Sequence, residues 1–88
     1  MKPKLTIKEN FELAFQNHKD NNFQIAIKLY NEILEIDPNH QDTLRNLGLI
    51  FNHLEKHQEA IGYYKKIIDI NPNHINATSN IGSSFSRL

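Results

Sequence analysis

The stretch Ile36-Asp37-Pro38-Asn39-His40 recurs as Ile70-Asn71-Pro72-Asn73-His74, 34 positions further on. A single Pro-Asn-His marks only a turn, but two copies at a fixed interval make the segment between them a structural unit. The same shift aligns Leu13 with Leu47, Ala26 with Ala60, Ile27 with Ile61, Tyr30 with Tyr64 and Ile33 with Ile67. It also aligns Gly48 with Gly82 and Phe51 with Phe85. A repeat of this length belongs to arrays in which each unit is one supersecondary element that cannot bury its apolar face alone. Function therefore has to be read from surfaces.

Local signals say what the unit is. Thr6-Ile7-Lys8-Glu9 has the form of a capping box, and Ile7, Phe11, Ala14, Phe15 and His18 follow at helical spacing, predicting a first helix to about Lys19. Asp20-Asn21-Asn22 breaks it. A second helix carries Phe23, Ala26, Ile27, Tyr30, Ile33, Leu34 and Ile36, and stops before Pro38, whose ring excludes an α conformation at Asp37. The cycle repeats: Asn39 as N-cap, a third helix through Leu44, Leu47, Gly48, Phe51 and Leu54, and a turn at Lys56-His57. A fourth helix carries Ala60, Ile61, Tyr63, Tyr64, Ile67, Ile68 and Ile70 and stops before Pro72, and a fifth opens at Asn73 and carries Ile81, Gly82 and Phe85. Short connections make successive helices antiparallel neighbours. Small residues recur at Ala14, Gly48 and Gly82 on the first helices and at Ala26 and Ala60 on the second, predicting close approach within each hairpin. Glycine costs about 1 kcal/mol of helix propensity against alanine, so contact distance is expected to decide Gly48 and Gly82.

Composition limits what such a chain does. It has 88 residues, a formal net charge of zero and no cysteine, so one small domain must hold together by helix packing or with a partner. Its lysines are spread without a run, which gives no footprint for nucleic acid or an anionic membrane. No apolar stretch follows the basic start Met1-Lys2-Pro3-Lys4, so no signal peptide is expected, and nothing approaches the ~20 apolar residues of a membrane span. A cytoplasmic protein is the expectation.

Leu47-Gly48-x-x-Phe51, followed by Ala60, Tyr64 and Pro72, resembles the tetratricopeptide repeat, including its period. The first copy fits at Leu13-Ala14, Ala26, Tyr30 and Pro38, but has Asn17 in place of an aromatic and Asn10 in place of a large apolar residue. Ile33 and Ile67 replace a usual alanine. The resemblance implies an all-α, right-handed solenoid of helical hairpins with two and a half repeats and five helices. Residues 1–6 form a lead-in, 7–40 and 41–74 are full repeats, and 75–88 give the first helix of a third. It implies a non-catalytic module binding a protein or peptide, extended or helical, along a concave face lined by the first helix of each hairpin.

Phe15, Arg45, Asn46, Leu49, Asn76, Ser79, Asn80 and Ser83 are the residues this resemblance and helical geometry place on that face. Asn46 and Asn80 stand where some related arrays carry an asparagine ladder that grips a peptide backbone; the alternative is a solvated polar residue. A carboxylate clamp for chaperone tails is not expected, because Phe11, Phe15, Asn76 and Asn80 occupy four of its places. Phe11, Phe15 and Leu49 either form an apolar strip for a ligand, or the two phenylalanines pack into the first hairpin and compensate for Asn10 and Asn17. His53 and His57 straddle a turn and lack the glutamate of a metalloprotease motif, so no metal and no cofactor is expected. Asn76-Ala77-Thr78 is read as an accidental sequon, and no catalytic pattern is identifiable. Glu9 and Gln16 stand where Thr43 and Ile50 would face a preceding repeat, as suits a starting cap. Ile81, Phe85 and Leu88 keep an apolar stripe, which points to a longer array or to association of two copies. The reading from a different class is a repeat segment of a larger enzyme, for example a glycosyltransferase, to which it presents substrates.

Overall fold

The computed structural model of the protein describes residues 5–71, and the expected fifth helix lies outside them. These residues form four α-helices: α1 (Ile7–Lys19), α2 (Phe23–Ile36), α3 (Gln41–His53) and α4 (His57–Ile70). Among the described residues there is no strand. The chain divides into two compact units at His40. In the first, α1 packs on α2; in the second, α3 packs on α4.

The helix starts and stops follow from local chemistry. Thr6 Oγ1 accepts from the Glu9 backbone N–H at 3.1 Å, and Glu9 Oε1 accepts from the Thr6 N–H at 3.0 Å, completing the capping box. The backbone and hydroxyl of Thr6 hold the Glu9 carboxyl below its ordinary value. The third helix differs from expectation at its start. Asn39 lies before it, not at its cap, because the Asn39 N–H donates to Asp37 Oδ1 at 3.2 Å and closes a turn that delays the helix to Gln41.

Both interhelical turns use one geometry. Asn22 N–H donates to Asn17 O and Asn21 N–H to His18 O; one period later Lys56 N–H donates to Phe51 O and Glu55 N–H to Asn52 O. This pair of bonds is the Schellman arrangement, which satisfies orphan carbonyls at a helix C-terminus and needs a left-handed residue. That residue is Asn21 in one turn and Glu55 in the other, each at φ 63°. Asparagine tolerates the conformation, whereas glutamate carries a steric penalty. Glu55→Gly is therefore expected to raise stability by about 1 kcal/mol, measured by urea unfolding, with Asn21→Gly gaining less. Equal gains at both positions would show that the penalty at Glu55 is already relieved.

The core is the seam of each hairpin. Ala14, Ala26, Tyr30 and Ile33 are fully covered in the first unit, and Leu44, Leu47, Ile50, Ala60, Tyr64 and Ile67 in the second. Burying each large side chain contributes roughly 1.5–3 kcal/mol. What fills the space beside Gly48 is the Tyr64 ring: a Cβ at Gly48 would lie 2.6 Å from two of its carbons. Close approach therefore does decide this glycine, and the approaching group is an aromatic side chain.

Candidate functional site

Phe11 and Phe15 lie one turn apart on α1, so their rings share a face. They stack with centroids 6.2 Å apart and planes within 6°. Phe11 is anchored inward, meeting Tyr30 at 5.8 Å and His40 at 5.7 Å. Phe15 meets His18 edge-on at 6.1 Å and carries Lys19 Nζ 5.2 Å above its ring. It nevertheless stays 41% exposed. The two readings of these phenylalanines thus divide between them: Phe11 packs into the hairpin, and Phe15 forms the outer end of an aromatic surface.

His18 ties that surface to the core. It meets Phe23 at 6.0 Å and Tyr30 at 6.2 Å, both edge-on, and its Nδ1 lies 3.4 Å from the Tyr30 hydroxyl. One period on, the pair His18 and Phe23 becomes Asn52 and His57. There His57 is buried, with Nδ1 2.6 Å from Asn52 Oδ1 and Nε2 3.2 Å from Glu55 Oε2. A histidine secures each turn, from opposite helices of its hairpin. The exchange leaves the Tyr64 hydroxyl without a hydrogen-bond partner among the described residues. Burial pushes that hydroxyl's pKa up to about 12, against the opposing influence of Arg45.

The expected site residues are distributed unevenly. Phe15 belongs to the first unit, while Arg45 and Leu49 belong to the second and are half-buried. Arg45 reaches Asp42 at 3.6 Å, an exposed pair of small energetic weight. Asn46 is enclosed in the second unit. It is only 2% exposed and is not without a partner, so its side chain does not present a free amide to solvent. The physical reason is the width of the covered arc on α3: Thr43, Leu44, Asn46, Leu47, Gly48 and Ile50 are all buried, not one seam alone. Asn52 and His18 make the contacts just described. Asn76, Ser79, Asn80 and Ser83 lie outside the described residues.

The residue missed by sequence reasoning is Asn10. Read as a departure from an apolar position, it is nonetheless 6% exposed, in the place where α3 buries Leu44. The signal was its register: a polar residue inside an apolar periodicity is either covered or functional. Asn17, the other departure, turns its side chain back onto its own helix and toward the turn that follows. Its amide donates to Leu13 O at 2.9 Å, and its carbonyl accepts from the Asn22 amide at 3.3 Å. No cluster of three or more metal-ligating side chains exists among the described residues.

The profile of the Tetratricopeptide repeat family matches residues 42–74. The crystal structure of MamA superposes with a TM-score of 0.87 at 26% identity, over 92% of this chain and 47% of that one. Residues 42–74 match a tetratricopeptide repeat, and the fold of the chain is similar to that of MamA. No curated protein sequence matches it. The aligned part spans about half of MamA, so the activity of that whole protein is not carried over. Within the matched tetratricopeptide repeat, Leu44, Leu47, Gly48, Ala60 and Tyr64 are all buried, which gives the motif a packing cause. The first hairpin, with Asn10 and Asn17 at two motif positions, falls outside the profile match. No helix among the described residues is long and apolar enough to cross a membrane.

Proposed function

We propose that this chain, with its tetratricopeptide-like hairpins, is a non-catalytic interaction module whose first hairpin holds a peptide or helical segment of a partner protein against the outward side of α1. Repeats of this family generally bind proteins. The observation that carries the proposal is the stacked pair Phe11 and Phe15, with the outer ring 41% exposed under a lysine. An aromatic half in the core and half in solvent is preorganised, so binding to it costs little side-chain entropy. It fits an apolar anchor on the partner, and Lys19 favours an acidic neighbour to that anchor. On α3 the equivalent places carry Arg45 and Leu49, which offer a charged and aliphatic contact instead. Residues 7–40 and 41–74 are the two repeats of this module, preceded by a lead-in over residues 1–6.

Peptides selected from a random display library on the unaltered chain provide the test. Phe15→Ser is expected to leave the melting temperature nearly unchanged and to weaken the selected peptides by about 1–2 kcal/mol, the scale of a lost anchor. Calorimetry giving equal affinity for both proteins would remove Phe15 from the binding face.

A further inference from the structure

A cavity of about 370 Å³ opens in the first unit, lined by Leu5, Asn10, Glu32, Glu35 and Ile36. It is built from the start of α1 and the end of α2, and does not involve the ring of Phe15. Glu32 and Glu35 are three residues apart, hence on one face of α2, and neither makes an ion pair among the described residues. Asn10 lines the same cavity, is more than nine-tenths buried, and its side-chain amide makes no hydrogen bond to a described residue. Buried amides are ordinarily paired, so an unpaired one facing a cavity calls for a partner. Leu5 and Ile36 supply aliphatic wall and are themselves substantially exposed.

We infer that this cavity receives a lysine side chain from a partner peptide. An ammonium has three N–H donors and no acceptor. Two carboxylates and the Asn10 carbonyl oxygen supply three acceptors, and the aliphatic wall matches the four-carbon stem. The volume lies within the range of ligand pockets, about 300–1,000 Å³. The second hairpin shows that the cradle is not a by-product of the repeat. One period on, Asn10 becomes Leu44, Glu32 becomes Lys66 and Leu5 becomes Asn39, so half of the apolar wall, one carboxylate and the amide are lost, while Ile70 and Asp69 keep the rest. The site is separate from the α1 aromatic face and stands or falls independently of it.

The experiment uses the full chain and two acetylated, amidated tripeptides: leucine-lysine-leucine and the same peptide with norleucine at its centre. In two-dimensional nitrogen–proton NMR, the lysine peptide is expected to shift the Asn10 side-chain amide pair saturably, and the norleucine peptide to leave it in place. Glu32→Gln with Glu35→Gln, both isosteric, is expected to weaken the lysine peptide about tenfold or more. Equal shifts from both peptides, no saturable shift, or full affinity in the double variant would overturn the assignment. A lysine peptide that binds only after Lys2→Ser and Lys4→Ser would also overturn it, by assigning the cavity to the chain's own lysines.

Discussion

Gly48→Ala is expected to destabilise the second hairpin by about 1–3 kcal/mol, the cost of overpacking a closed core. Helix propensity alone predicts the opposite, a gain of about 1 kcal/mol. The packing term wins because the new methyl would stand 2.6 Å from two carbons of the fully buried Tyr64 ring. Those ring carbons cannot retreat without moving α4, since Tyr64 is covered on every side. The decisive comparison is a double-mutant cycle followed by urea unfolding. In a Tyr64→Leu background the ring is gone, and Gly48→Ala is expected to turn neutral or stabilising. A higher midpoint for Gly48→Ala in the otherwise unaltered chain would show that the ring yields easily.

Asn10→Leu is expected to act in the other direction, raising the stability of the first hairpin by about 2 kcal/mol. The Asn10 amide keeps only the hydration that the cavity allows, which leaves part of a desolvation cost of about 1–3 kcal/mol in place. Leucine removes that cost and adds apolar contact with Leu5 and Ile36, as Leu44 does for α3. The thermal midpoint should rise accordingly, while the lysine peptide should no longer bind. A fall in midpoint would mean that the amide already has a partner holding it. Retaining a less stable residue at such a place is the behaviour of a position kept for binding.

The two positions also separate what short-range chemistry could reveal from what needed the folded chain. The capping box at Thr6 and Glu9, the helix break at Asp20-Asn21-Asn22, and the stops before Pro38 and Pro72 each depend on a few neighbouring residues, whereas the turn expected at Lys56-His57 lies at residues 54–56, with His57 already in α4. The helices and their 34-residue period were therefore readable in order along the chain. Burial on one side of a helix was readable for the same reason, since periodicity is local. The width of the buried arc was not. Asn46, expected on the concave face, is covered, while Phe51 is partly exposed and stacks on Tyr63 at 5.5 Å. Ile36, assigned to the apolar face of α2, is largely exposed beside the cavity.

The amino-acid sequence by itself determined that this chain makes helical hairpins of the tetratricopeptide kind, because turns, caps and helical period are set by residues within reach of one another along the backbone. Only the tertiary structure decided which polar groups are enclosed, which aromatic ring stays outside, and that a tyrosine rather than a facing alanine excludes a side chain at Gly48. Those outcomes depend on atoms brought together from distant parts of the chain, where a difference of one methyl group changes what fits.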